Sequence, residues 1–257
     1  MKKPIAAITA LALASLLCPI SLQADNIAYM GVIGGDFGTI DLNIGVFTDL
    51  GNSGQTLAGM AVENGMLFGS SYHTATGTLY SINPANGSLT TIGSSSLDYD
   101  DFGSTTSGIF AVGTDASLYS VNPANGATTL IGPTGIGLGN WRSLSTGASS
   151  LYFSSGANLY TLNTSTGAAT LVGNMGGPQI GAMLLEGGNL YGGQDSPSLA
   201  VDTIDPLTGA ATTGPGLTGS TAAFFALAPN PIPLPEPSIV SLLAVGGLAR
   251  VFSRKRA

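Results

Sequence analysis

The chain has 257 residues, of which 38 are glycine and only 8% are charged. This composition is rich in turns and points away from a helical enzyme. The short apolar segments in the middle of the chain still supply enough Leu, Ile, Val, Phe and Tyr for a sizeable core, so disorder is not expected. The length allows one large all-β domain or two ordinary ones.

The first 24 residues are typical of a secretory signal peptide. Two lysines precede an apolar run that ends at Cys18, and the small residue Ala24 lies just before Asp25. We therefore predict cleavage between Ala24 and Asp25. An uncleaved anchor is the alternative, but it would need a longer apolar span. A lipoprotein would need a small residue directly before Cys18, where leucine stands.

The predicted exported region is strongly acidic. Between Asp25 and Pro235 it has thirteen acidic side chains and one lysine or arginine, Arg142. Cleavage would also remove the only cysteine, so the mature protein could form neither a disulfide nor a thiolate site. Nucleic acid and anionic lipid are not expected as partners of this region, because binding either depends on clustered basic side chains.

The C-terminal segment reads PIPLPEPSIVSLLAVGGLARVFSRKRA from residue 231. A proline-rich linker over residues 230–234 would keep the chain extended and accessible. An apolar run follows, and the chain ends on the basic side chains Arg250, Arg254, Lys255 and Arg256. The positive-inside rule places such a basic end in the cytoplasm. The run from residue 238 to residue 249 has only 12 residues, fewer than the roughly 20 that a straight transmembrane helix needs.

This order resembles the PEP-CTERM sorting signal over residues 235–257. The resemblance implies that an exosortase, an integral membrane transpeptidase-like enzyme, recognises Pro235, Glu236 and Pro237. It also implies a Gram-negative bacterium that makes exopolysaccharide, insertion into the inner membrane during sorting, and a later place at the cell surface or outside the cell. A C-terminal anchor that is never cut is the alternative.

Five segments of about 40 residues repeat within residues 25–229, which we take as one domain. Their turns align on Gly45, Gly87, Gly126, Gly167 and Gly209, which are separated by 42, 39, 41 and 42 residues. The clearest copies read GTLYSINPANGSLTTIG, ASLYSVNPANGATTLIG and ANLYTLNTSTGAATLVG. A period of this length with four short strands is typical of a β-propeller blade. We predict a five-bladed β-propeller; an open solenoid is the alternative, and it would need capping units.

The repeats also predict how the domain closes. Small residues at 57–62 and 180–185 suit an innermost strand, where blades crowd at the axis. The first repeat lacks such a strand, and residues 222–227 match its pattern. We therefore predict that this C-terminal strand completes the first blade and removes exposed sheet edges.

An acidic group, Asp98, Asp100 and Asp101, is the best candidate for a metal site. Closely spaced carboxylates on a loop between blades could bind calcium. The pattern is not a full EF-hand or nonapeptide calcium motif, and the favoured alternative is a solvated loop. His73 is expected in a solvated loop. The composition disfavours a nucleophilic triad and a zinc site.

A second candidate is the pair Trp141 and Arg142 at the start of an innermost strand. An aromatic beside the lone cation could stack on a sugar or hold a carboxylate; in the alternative, Trp141 packs between blades and Arg142 neutralises neighbouring acids. The tyrosines at positions 80, 119 and 160 are expected to pack between blades.

The fold alone implies no function. The inventory of side chains favours a non-enzymatic surface or matrix protein that binds exopolysaccharide or another envelope protein, without a cofactor. Two alternatives are a calcium-dependent propeller enzyme acting on sugars or lactones and a structural spacer with no ligand.

Overall fold

A computed structural model describes residues 26–72, 74, 76–147 and 150–230. All regular secondary structure in this part of the chain is β-strand. The predicted signal peptide, the predicted sorting signal and His73 lie outside the described residues.

The described residues contain twenty strands. In chain order they are β1 (Ile27–Val32), β2 (Asp36–Asp41), β3 (Val46–Asn52), β4 (Leu57–Glu63), β5 (Met66–Ser71), β6 (Thr78–Ile82), β7 (Leu89–Ser94), β8 (Tyr99–Thr105), β9 (Gly108–Gly113), β10 (Ser117–Val121), β11 (Thr128–Pro133), β12 (Arg142–Gly147), β13 (Leu151–Ser155), β14 (Asn158–Leu162), β15 (Ala169–Asn174), β16 (Gln179–Glu186), β17 (Asn189–Ser196), β18 (Ala200–Ile204), β19 (Ala211–Thr212) and β20 (Phe224–Pro229).

Antiparallel pairing groups these strands into five four-stranded units. Unit 1 has the spatial order β20, β1, β2, β3, and units 2 to 5 contain β4–β7, β8–β11, β12–β15 and β16–β19. We call the first strand of each order the inner strand. Parallel bridges between the inner strands β8, β12 and β16 join units 3, 4 and 5 into one sheet, while units 1 and 2 are separate sheets.

The repeated hairpin turns have the predicted chemistry. In unit 2, the backbone N–H of Gly87 donates to the carbonyl of Asn83 at 2.8 Å, and Asn83 Oδ1 accepts from the N–H of Ala85 at 3.0 Å. Gly87 has a φ of 72°, the left-handed conformation that glycine adopts without strain. The same bond to the turn glycine recurs in all five units at 2.8 Å.

The predicted pairing of the C-terminal strand with the first repeat is confirmed. Strand β20 pairs antiparallel with β1, with Met30 opposite Leu227. The strand begins at Phe224, two residues later than predicted. At this position the N–H of Phe224 donates to the carboxylate of Asp195 at 2.7 Å. Unit 1 is therefore built from both ends of the described chain.

The hydrophobic core consists of five clusters, each between two units. Four lie between consecutive units in the chain, and the fifth places Val32 and Phe224 of unit 1 against Leu184 and Val201 of unit 5. The inner strands contact one another in the order β20, β4, β8, β12, β16, and β16 contacts β20. The last unit thus packs on the first.

Glycines in the outer strands have no side chain, and this lets the turn of the next unit pack directly against the strand. A Cβ atom on Gly93 of β7 would overlap the carbonyl of Asn125 in the turn of unit 3. Glycines 51, 132 and 173 meet the turns of units 2, 4 and 5 in the same way. Unit 5 meets unit 1 through a different contact, in which the N–H of Thr218 donates to the carbonyl of Gly45 at 2.9 Å. The repeated glycine therefore fixes how neighbouring units dock.

Candidate functional site

A cavity of about 370 Å³ lies where the inner strands begin. We call it the upper pocket; its lining residues are Ile33, Ala58, Tyr72, Asp101, Asn140, Trp141, Arg142 and Gly181. These residues come from all five units: units 1, 3 and 5 deliver one each, unit 2 delivers two and unit 4 delivers three. The pocket combines an aromatic ring, an amide, a carboxylate and a guanidinium group.

Trp141 has the least ordinary backbone in this pocket. Its φ is 58°, in the left-handed region that a bulky side chain rarely adopts. The side chain is 37% exposed although it is large and apolar. The carbonyl of Trp141 accepts a hydrogen bond from the N–H of Gly156 at 3.1 Å, which ties this conformation to the neighbouring β-hairpin. Strained conformations of this kind collect at binding sites.

Arg142 and Asp101 line the same pocket, as the order of the strands requires. Arg142 opens β12, within one residue of the predicted start of the inner strand, and its Nη1 donates to the carbonyl of Gly139 at 2.6 Å. Asp101 Oδ1 accepts from the N–H of Leu144 at 3.2 Å, so this carboxylate links the inner strands of units 3 and 4. The sequence paired Trp141 with Arg142 but did not join them to Asp101.

The prediction that the acidic group lies on a loop is wrong for two of its three members. Strand β8 begins at Tyr99, so Asp100 and Asp101 belong to an inner strand. Pairing with β9 skips Asp100, which makes it the extra residue of a β-bulge, and the next side chain, Asp101, is only 3% exposed. Alternation along the strand buries Tyr99 and Asp101 together, whereas Asp98 precedes the strand and is half-buried.

Calcium binding by this group stays a prediction. Within the ranges that the structure describes, no cluster of three or more His, Cys, Asp or Glu side chains could hold a metal ion. Asp101 is engaged with the Leu144 amide. Asp98 does not line the upper pocket.

Asp195 lies beside the upper pocket and was missed by sequence reasoning. It is the extra residue of a bulge in β17, opposite the bulged Gly181 of β16. Oδ1 accepts from the N–H of Phe224, while Oδ2 is buried and has no hydrogen-bond partner among the described residues. A Cβ atom on Gly181 would overlap Oδ2. Burial raises the pKa of Asp195 to about 7, although the bond from Phe224 opposes the rise.

A second cavity, of about 540 Å³, lies where the inner strands end. We call it the lower pocket; it is lined mainly by Glu63, Asn64, residues 104–107, Glu186 and Pro229. Glu63 and Glu186 take equivalent positions at the ends of β4 and β16. Burial raises the pKa of Glu186.

The two pockets are separate. Between them lies a narrow space that is too small for a water molecule; residues around it include Met60, Phe102, Leu144, Met183 and Leu227. The hydroxyl of Thr146 in unit 4 donates to the carbonyl of Met60 in unit 2. The upper and lower pockets are therefore two independent candidate sites.

Asp202 is a second buried acid that sequence reasoning missed. It takes the position that Tyr80, Tyr119 and Tyr160 hold in units 2 to 4, and it is fully buried. Burial raises its pKa to about 6, with partial compensation from the backbone amide of Gly214. An aspartate at a tyrosine position of the repeat was visible in the alignment and is the signal that could have identified it.

The repeated tyrosines themselves differ in their surroundings. Tyr80 packs on the cluster between units 1 and 2, as predicted. The hydroxyl of Tyr119 donates to Asp115 Oδ2 at 2.7 Å, and that of Tyr160 accepts from Asn158 Nδ2 at 3.3 Å. The hydroxyl groups of Tyr119 and Tyr160 therefore form hydrogen bonds with polar side chains near the turns.

Comparison with known proteins identifies the fold but not a family. No family model matches the chain, and no curated protein matches it significantly. A structural genomics protein of unknown function from Bacteroides thetaiotaomicron aligns with a TM-score of 0.53 and 15% identity over 81% of this chain and 66% of that chain. A chain of a nidogen/laminin complex aligns with a TM-score of 0.53 and 10% identity over 79% of this chain and 97% of that chain. The chain is thus all-β and resembles β-propellers.

None of the described residues forms a helix that is long and apolar enough to cross a membrane.

Proposed function

We propose that the five units form a closed, five-bladed β-propeller. Three features support closure: the pairing of β20 with β1, the core cluster between units 5 and 1, and the bonds that join them. One of the hydrogen bonds that join units 5 and 1 runs from the N–H of Phe47 to the carbonyl of Thr218, at 2.8 Å. An open solenoid would leave these surfaces of units 1 and 5 exposed to water.

We also propose that this domain is exported and then sorted at the envelope of a Gram-negative bacterium. The signal peptide over residues 1–24 and the PEP-CTERM-like tail over residues 235–257 carry this proposal. Intact-mass analysis of the protein from cells with and without exosortase tests it. We expect both samples to lack residues 1–24, and we expect the tail to be lost only where exosortase is present. An unchanged C-terminus in both samples would contradict the account of the tail.

We propose that the domain acts as a non-enzymatic binding module and that its upper pocket holds a saccharide of the surrounding exopolysaccharide. The conformation of Trp141 carries this proposal, since a large aromatic is held exposed at the cost of an unfavourable φ. Asn140 and Arg142 offer hydrogen-bond donors beside the ring, and Asp101 from the neighbouring inner strand β8 lines the same pocket. An aromatic face flanked by such groups fits the apolar face and hydroxyl groups of a sugar.

The charge of the domain selects among saccharides. With thirteen acidic side chains against one arginine between Asp25 and Pro235, its field repels an anionic polymer. We therefore expect neutral glycans to bind better than uronic-acid polymers, and the difference to shrink at high salt.

Trp141 makes the experiment direct, because it is the only tryptophan in the chain. Titration with neutral and anionic oligosaccharides should change its fluorescence in proportion to occupancy. Trp141→Ala should weaken binding measured by calorimetry about 30-fold, equivalent to about 2 kcal/mol for a buried aromatic contact. Leu207→Ala, which removes an apolar side chain that is 85% exposed on a distant turn, is the matched control and should leave binding unchanged. Equal affinity in both variants would place the ligand elsewhere.

A further inference from the structure

Both ends of the described chain lie at the lower pocket. Pro229, the last residue of β20, lines that pocket, and it pairs with Ala28 near the start of β1. Asn26 precedes β1, and its Nδ2 donates to the hydroxyl of Tyr191 at 2.8 Å. The chain therefore enters and leaves the domain on the same face.

The upper pocket lies at the opposite end of the inner strands. These strands have six to eight residues, so the two pockets are about 20 Å apart at ~3.3 Å per residue. The space between them is too narrow for a water molecule. A tether attached at residue 230 consequently pulls on the lower face and leaves the upper pocket at the far side.

We infer that, while the tail is held in the inner membrane, the lower pocket faces the bilayer and the upper pocket faces away from it. This inference rests on the proposed function of the tail. Residues 230–237 separate the domain from the apolar run; as an extended proline-rich segment they reach about 25 Å at ~3.1 Å per residue. This short linker keeps the lower face, where the chain leaves the domain, nearest to the bilayer.

Charge sets how closely the lower face approaches. Glu63 and Glu186 line the lower pocket, and a carboxylate loses its hydration when it is pressed into a bilayer. The lower face is thus tethered near the bilayer without docking on it. Trp141 and the upper pocket are then the first part of the domain that material outside the membrane meets.

The lack of cysteine in residues 25–257 allows a test with two matched single-cysteine variants. Thr106 and Thr114 lie in exposed turns at the two ends of β9, at the lower and upper ends respectively. Thr106→Cys and Thr114→Cys are each made in a full chain that also carries Cys18→Ser, expressed without exosortase and reconstituted into liposomes. A donor dye on the cysteine then transfers energy to an acceptor dye on the lipid headgroups.

Transfer from Thr106→Cys should be about twofold greater than from Thr114→Cys, since the positions lie roughly 20 Å apart along one strand. Equal transfer, or greater transfer from Thr114→Cys, in protein that floats with the liposomes would overturn the orientation and leave the tail proposal intact. Protein that fails to float with the liposomes would overturn the tail proposal and the orientation with it. The emission maximum of Trp141 shows that both variants are folded.

Discussion

Replacement of Asp195 by asparagine should stabilise the domain above neutral pH. The carboxylate lies between Gly181 of β16 and the first residue of the closing strand, with one oxygen bonded to the Phe224 amide and the other buried. An asparagine keeps the acceptor for Phe224 and carries no charge. Its amide group also has an acceptor close by, because the carbonyl of Phe224 stands beside Gly181 next to Oδ2.

The size and sign of the effect follow from the pKa. Burial raises the pKa of Asp195 from 3.8 to about 7, so the folded state holds a proton that the unfolded chain has already released. The free energy of unfolding therefore falls as the pH rises from about 4 to about 7, and the loss is complete above that range. Three pKa units correspond to ~4 kcal/mol as an upper limit, and screening of the partly exposed side chain reduces this to roughly 2 kcal/mol.

Urea denaturation at several pH values between 4 and 8.5 measures this effect. Asp195→Asn should match the wild type near pH 4 and exceed it by roughly 2 kcal/mol at pH 8. A smaller fall with pH should remain in the variant, because the pKa of Asp202 is also raised, to about 6. Asp205→Asn in the same unit is the control. Hydrogen bonds from Leu207 and Thr208 lower the pKa of Asp205, so this substitution should lower the free energy of unfolding at neutral pH instead of raising it. A pH-independent difference between wild type and Asp195→Asn would refute the reasoning.

Two further changes test the docking of units and the acidic group. Gly93→Ala should lower the melting temperature sharply or prevent folding, because its Cβ would overlap the carbonyl of Asn125, whereas Gly137→Ala, with open space around it, should change little; equal effects would contradict the docking contact. Calcium should leave the melting temperature unchanged, because Asp101 already accepts from a backbone amide. A rise that EDTA reverses and Asp101→Asn abolishes would support the calcium prediction instead.

The repeat made most of the fold predictable from the sequence. The turn at Asn83–Gly87 requires a side-chain acceptor and a left-handed glycine, so its recurrence located five hairpins. Residues 222–227 could be assigned to unit 1 because one repeat lacked an inner strand. The exact start of β20 was not predictable, since it depends on a bond between Phe224 and Asp195 that is 29 residues away in the chain.

The candidate site was predictable only in part. Trp141 and Arg142 stood out because each is the only residue of its type between Asp25 and Pro235, but no sequence pattern placed Asp101 beside them. Strand alternation with a bulge at residue 100 decides which carboxylate is buried, and neither the bulge nor the contact with Leu144 has a local signature. Asp195 was missed for the same reason, because two opposed bulges create its position.

Removal of the closing strand is the strongest test of how the domain completes itself. A chain that ends at Asn230 retains β20 and should fold with a cooperative transition. A chain that ends at Thr221 loses Phe224, Ala226, Leu227 and Ala228, which are all buried in the clusters on either side of unit 1. Burial of one Phe or Leu contributes about 1.5–3 kcal/mol, so the loss of these side chains and of the pairing with β1 approaches the 5–15 kcal/mol that stabilises a typical domain. The shorter chain should aggregate through the exposed edge of β1. A soluble product with the same melting temperature as the longer chain would show that the folded domain does not depend on its last strand.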